Sequence, residues 1–138
     1  MIRYLLDTNI ASLFVRNGNA ALMFRMQTVS PDELAVSTVT EAEMRFGLAL
    51  LPPEAKLHRA VEDFLGNIAI LRWDSLCARA YGLLAARQQK IGKPLATADA
   101  MIAAHAAAYA LTLVSNDAAF QFVEDLKLQD WTKGPQRT

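Results

Sequence analysis

Short apolar runs alternate with helix-length segments along the chain, and this alternation restricts the fold more than any other feature. Residues 2–6, 34–37, 68–71 and 111–115 are strand-like, and the stretches between them carry helical patterning. Two antiparallel strands need only a tight turn to meet, whereas parallel neighbours need a crossover of a dozen or more residues, usually helical. The expected architecture is therefore a single α/β sandwich around a central parallel sheet. A further edge strand is expected over 126–128. The clearest helix lies at 54–67, where Leu57, Ala60, Val61, Phe64, Leu65 and Ile68 follow a helical repeat. Stop signals fall between the elements at Asn17-Gly18-Asn19, Ser30-Pro31-Asp32, Pro52-Pro53 and Gly92-Lys93-Pro94. Thr40 is the expected cap of a helix reaching Leu50, and Leu76, Ala80, Leu83, Leu84 and Ile91 are expected on one face of a helix over 75–90.

With 138 residues, 53% hydrophobic and 20% charged, the chain has the size and composition of one globular domain, expected to span 1–138. The single cysteine, Cys77, excludes an internal disulfide and gives little support to a zinc or thiol site. The longest apolar run, 100–114, is too short for a bilayer and contains His105 and Tyr109. With no basic, apolar leader at Met1, the expectation is a soluble cytoplasmic protein without a membrane partner. A formal net charge of zero argues against holding nucleic acid by bulk charge, since phosphate neutralisation supplies most non-specific affinity.

Carboxylates at element boundaries are the candidate chemistry. Asp7 ends the first strand, and ligands collect beyond the carboxyl ends of strands in parallel sheets. Asp is also an ordinary helix cap, but Asp7-Thr8-Asn9 puts three oxygen-bearing side chains on one turn, which suits a hydrated cation. Glu41 and Glu43 compete for an inward place, pointing about 200 degrees apart on a helix. Glu43 shares a face with Phe46 and Gly47, and a helical glycine suggests close backbone packing on that side, which favours Glu43. Asp99 complements a helix N-terminus, yet it stands among small and apolar neighbours where a charge is costly to bury unless something positive meets it. Asp117 follows the fourth strand in an Asn-Asp turn. His105 reads as a packed helix residue and His58 as solvent-facing, and there is no HExxH pair, phosphate loop or nucleophile elbow. A haloacid-dehalogenase-like site would need an aspartate where Asn9 stands.

Four segments together resemble the PIN-domain toxins of bacterial toxin–antitoxin pairs, the VapC family, and in particular its FitB-like branch. These are Tyr4-Leu-Leu-Asp-Thr-Asn-Ile10, Thr38-Val-Thr-Glu-Ala-Glu-Met-Arg-Phe-Gly47, Leu95-Ala-Thr-Ala-Asp-Ala-Met-Ile-Ala-Ala-His-Ala106 and Leu113-Val-Ser-Asn-Asp-Ala-Ala-Phe120. Their order and spacing agree with that family over nearly the whole chain, with Ser115 where Thr is usual and Asp117 on the variable last acid. The resemblance implies a PIN-domain three-layer sandwich and an Mg²⁺-dependent endoribonuclease, with Mn²⁺ as a substitute. It implies Asp7 and Asp99 as direct metal ligands, Glu43 and Asp117 acting through water, and Thr8, Asn9 and Asn116 as supports. Clustered carboxylates need a counter-charge to ionise together, and oxygen donors without Cys or paired His favour these ions over zinc.

An RNA substrate, a cognate VapB-like antitoxin and a homodimer are the implied partners, with operator DNA reached only through the antitoxin. The dimer is expected on helices 40–50 and 75–90 through Phe46, Leu50, Leu76, Tyr81 and Leu84. Arg45, Arg87, Lys90 and Lys93 are expected to line a shared RNA groove, and an antitoxin tail to lie near Phe14 and Phe24. The alternative function is an antitoxin-holding subunit of an operator-binding complex with little catalysis of its own, or a PIN-like scaffold without useful catalysis.

Overall fold

The computed structural model of the chain describes residues 1–134. The chain enters the sheet directly: β1 (Tyr4–Leu6) passes into α1 (Thr8–Val15) and α2 (Ala20–Thr28), then a 3-10 turn and β2 (Leu34–Ser37). Next come α3 (Thr38–Ala49), α4 (Lys56–Asn67), β3 (Ala69–Leu71), α5 (Ser75–Lys90) and α6 (Thr97–Ala108). β4 (Thr112–Val114), a second 3-10 turn (Ala118–Phe122) and β5 (Leu128–Gln129) complete the described fold. All pairings are parallel, in the order β3-β2-β1-β4-β5. The expected edge strand thus exists, set slightly later along the chain.

Alternation along the strands splits the core into two layers. Tyr4, Leu6, Leu34, Val36 and Val114 face a cluster built with Ile10 of α1, Leu22 of α2, Met44 and Leu48 of α3, and Val61 and Leu65 of α4. Leu5, Ala35 and Leu113 face the other side, against Ile102, Ala103 and Ala106 of α6. The result is a three-layer sandwich. The chain leaves β1 toward β2 and β3, then returns to β4 on the opposite side, so strand order reverses between β1 and β4. That reversal opens a crevice at the carboxyl ends of these two strands.

Local signals set most boundaries. Asp7, Asn19, Ser37 and Asp74 cap α1, α2, α3 and α5, each accepting a backbone N–H on its side chain. Asn17 takes a left-handed φ of 54° just past α1, and Gly92 one of 73° after α5, where the Lys93 N–H closes on the Gln88 carbonyl at 2.9 Å. No helix among the described residues is long and apolar enough to cross a membrane.

One expectation is corrected, and one apolar face is divided between core and solvent. Thr40 is not a cap: β2 runs into α3 without a loop, so Ser37 takes that role and Thr40 is fully buried inside the helix. The divided face is that of α5. Leu76, Leu83 and Ile91 are exposed, Leu83 at 79%, while Cys77 and Gln88 are buried and Leu84 joins the core. The reason is that α5 packs chiefly on α6, whose alanines offer a shallow surface, rather than on the sheet. Gln88 tolerates burial because its amide Nε2 donates to the Lys93 carbonyl at 3.1 Å.

Candidate active site

Four elements bring oxygen-bearing side chains to the crevice beyond β1 and β4. Asp7 follows β1 directly and is 3% exposed. Its Oδ1 accepts the Ile10 N–H at 2.8 Å, so one carboxylate oxygen is fixed by capping α1. The Ser115 hydroxyl accepts the Asp117 N–H at 3.0 Å, leaving its own proton for Asp7, where it favours the charged carboxylate. Glu43 arrives from α3, its Oε1 accepting the Thr8 hydroxyl proton at 2.5 Å, and the Thr8 and Thr40 hydroxyls lie 3.1 Å apart. Burial of Thr40 therefore positions the support of Glu43, although that residue gives no helix cap. Asn9 Nδ2 donates to Asn116 Oδ1 at 2.6 Å, tying the turn after β1 to the turn after β4. Asp117 Oδ1 accepts the Ala119 N–H at 2.9 Å.

Asp99 comes from the first turn of α6. The Trp73 indole N–H donates to the Met101 carbonyl at 2.9 Å and the Trp73 backbone N–H to the Thr38 hydroxyl at 3.2 Å, holding that turn beside the start of α3. Asp7, Glu43, Asp99 and Asp117 line one open cleft of about 590 Å³, together with Thr8, Asn9 and Asn116.

Electrostatics mark the cleft as short of positive charge. Burial pushes the Asp7 carboxyl up to about 6, with Asp99 and Asp117 adding repulsion against the pull of the Ser115 hydroxyl and Ile10 N–H. Burial also raises Asp99, assisted by Asp117 and Glu43. A hard divalent cation with oxygen ligands fits this donor set and would relieve the repulsion. Among the described residues, no three His, Cys, Asp or Glu groups converge tightly enough to hold an ion as they stand. The fit is therefore one of donor chemistry and location.

Several expectations change in detail. Glu41 turns away from the cleft and pairs with Arg45 at 3.0 Å, while Glu43 lines it. Gly47, however, has no atom within 4 Å of the place a Cβ would occupy, so close packing is not why Glu43 faces inward. The burial of Thr40, Met44 and Leu48 sets the rotation of α3, and the Thr8 hydroxyl holds Glu43 at the cleft. His105 is buried, with Nδ1 2.9 Å from the Ser37 hydroxyl and its pKa pushed down by desolvation, as a packed residue should be. His58 is half-buried rather than solvent-facing, with Nε2 covered and unpaired among the described residues. Neither histidine lines the cleft. Ser12 and Arg16 of the α1 region do, and neither stands out in the sequence as a site residue. Their spacing from Thr8, four and eight residues along one helix, is the signal that could have found them.

A parallel α/β sandwich with its acids gathered at the switch point defines the class of protein. Residues 4–126 match the family model described as the PIN domain. The chain belongs to the PIN-domain family, among its VapC members, which makes it a nuclease. It is 31% identical over 132 residues to "Ribonuclease VapC2" of Haemophilus influenzae, covering 95% of this chain and 99% of that one. It is 29% identical over 133 residues to the "tRNA(fMet)-specific endonuclease VapC" of Shigella flexneri, covering 96% and 100%. Among solved structures, that of FitAB bound to an IR36 DNA fragment superposes with a TM-score of 0.86 at 27% identity, covering 98% of this chain and 99% of that one.

Proposed function

We propose that this chain is the toxin of a type II toxin–antitoxin pair, an Mg²⁺-dependent endoribonuclease that hydrolyses phosphodiester bonds of a structured RNA, of which tRNA is the first to test. The carrying observation is the convergence of Asp7, Glu43, Asp99 and Asp117 on one cleft at the strand-order reversal. The names of the relatives support the substrate class. Asp7 and Asp99 would hold the ion. Glu43, steadied by Thr8, and Asp117, steadied by its turn, would complete the site, while the Asn9–Asn116 bond keeps the two turns in register. A bound ion of this kind supplies a water of lowered pKa and stabilises charge at the scissile phosphate. Purified protein freed of its partner should cut tRNA with Mg²⁺ or Mn²⁺ and stop with EDTA. Binding without cleavage under every divalent ion would turn the reading toward the operator-binding alternative, which the DNA-bound FitAB structure favours.

The two glutamates separate the cleft from the surface. Glu43→Gln should lower kcat/KM about 10–100-fold, the usual scale for groups that orient metal ligands. Glu41→Gln should stay within about twofold, since surface ion pairs such as its bond to Arg45 contribute little. Equal losses in steady-state assays would show that the α3 phase does not govern activity.

A homodimer is proposed on the faces of α3 and α5. Phe46, Leu50, Leu76 and Leu83 are exposed by 67%, 71%, 51% and 79%, an apolar set that self-association would cover. Tyr81 and Leu84, expected there, instead pack within the chain against Trp73 and the α6 core. Light scattering at micromolar concentration should give twice the chain mass, and Leu83→Glu should give the monomer. A wild-type monomer would remove this part of the reading. For the VapB-like antitoxin, the exposed Phe24 remains a contact candidate, whereas Phe14 is engaged with Phe64 at 5.7 Å. A basic antitoxin side chain reaching the cleft would supply the missing charge, and operator DNA would be met through the antitoxin.

A further inference from the structure

A neutral chain that works on a polyanion must grip it locally, and the structure commits several of its cations elsewhere. Arg45 binds Glu41 and Glu62 at 3.0 and 2.6 Å, and Arg87 binds Glu124 at 2.9 Å. Lys93 lies 4.5 Å from the centre of the Phe122 ring. Three of the four residues expected to form an RNA groove are thus already occupied. Arg16 differs: it is the one cation among the residues lining the acidic cleft, and among the described residues it makes no ion pair. A guanidinium serving only to balance the neighbouring carboxylates would be expected to pair with one.

Its place on α1 gives it a direction. Thr8, Ser12 and Arg16 lie at i, i+4 and i+8, so the face of α1 that starts beside Asp7 ends at Arg16. At 1.5 Å per residue Thr8 and Arg16 are roughly 12 Å apart along the axis. A smaller recess of about 140 Å³ shares Thr8, Ser12, Arg16 and Glu43 with the cleft and continues past Leu48 and Leu51. That recess is lined mainly by apolar side chains, Val15, Met44, Leu57 and Val61 among them, so Arg16 stands at the rim where the polar cleft gives way to an apolar hollow.

We propose that Arg16 is a substrate-positioning residue that takes a non-bridging oxygen pair of an RNA phosphate next to the scissile one. This role rests on the chain being an RNA-cleaving enzyme. Arginine suits the task because its planar fork matches a phosphate bidentately, which lysine cannot reproduce.

The test uses unfractionated tRNA. In steady-state assays with Mg²⁺, Arg16→Ala should raise KM about 10-fold or more, the scale of one lost charge-assisted contact, with kcat within about threefold. Arg16→Lys should recover part of the loss. In an Asp99→Asn background, where binding is read without cleavage, Arg16→Ala should reduce the slope of log Kobs against log salt by about 0.7–0.9. Arg79→Ala, an exposed cation outside the cleft, is the control for a general charge effect. Should Arg16→Ala melt early, Arg16→Gln, which keeps most of the side-chain stem, answers the same question. Unchanged KM and salt slope in a folded variant overturn the assignment of Arg16 alone. A wild-type protein that neither binds nor cuts any tRNA overturns the RNA reading, and Arg16's role with it.

Discussion

Asp99→Asn should lower kcat/KM on RNA by roughly a thousandfold or more, because it removes a proposed direct ligand of the ion on which the chemistry depends. A neutral amide keeps the size and a hydrogen-bonding oxygen but cannot meet the ion's charge requirement. The fold should be unaffected. Asp99 is partly exposed, makes no cap bond that α6 depends on, and is already disfavoured as an anion by burial and by Asp117 and Glu43. The measurement is single-turnover cleavage beside circular dichroism, with Asp7→Asn as a companion variant expected to be equally inactive. Full activity in Asp99→Asn would sink the assignment of the cleft.

Asp7→Asn should at the same time stabilise the metal-free protein. The Asp7 carboxyl is held at about 6 against an ordinary value of 3.8, chiefly by desolvation. A carboxylate raised on folding weakens the fold once it ionises, so its contribution is complete below about pH 4 and is lost as pH rises through about 6. At pH 7 the difference corresponds to at most about 3 kcal/mol. Asparagine avoids that cost and still accepts the Ile10 N–H, being as good a cap as aspartate. Thermal melts in EDTA at pH 7 should show Asp7→Asn higher by roughly 5–10 °C. The gap should close as pH falls toward 4. Millimolar Mg²⁺ should raise the wild type more than the variant, since only the wild type offers the ion its charged ligand. A variant less stable than wild type in EDTA would mean that Asp7 serves the fold rather than a charged site.

These expectations depend on features of different legibility. The strands were readable because short apolar runs bounded by Asn, Gly and Pro carry their signal within a few residues, and helix stops at Asn17 and Gly92 follow from backbone conformations those residues favour. The acids were readable as candidates by position: Asp7 and Asp117 follow strands, and Asp99 opens a helix. Their grouping was implied by the family resemblance rather than by any single segment. Helix phase separated Glu43 from Glu41, but the reason for choosing Glu43, packing at Gly47, did not hold, and which of the two faces the cleft was decided by what α3 buries.

What only the tertiary structure decided concerns partners distant in sequence. The strand order is set by which strands pair, and it makes the ends of β1 and β4, more than a hundred residues apart in the chain, the two walls of one crevice. Thr40 became a buried support for Thr8 and Glu43 because β2 passes into α3 without a loop. α5 turned Leu83 outward because it met alanine-lined α6 instead of the sheet. Arg16 is a cleft residue because α1 lies along the cleft, while Arg45 and Arg87 turn to acids elsewhere. The sequence by itself determined the elements, the cap at Asp7 and the types of oxygen donor, because those rest on interactions within a turn or two. The meeting of the donors, and the solvent-facing or buried fate of each amphipathic face, waited on long-range packing, where a side chain's role depends on the surface it happens to meet.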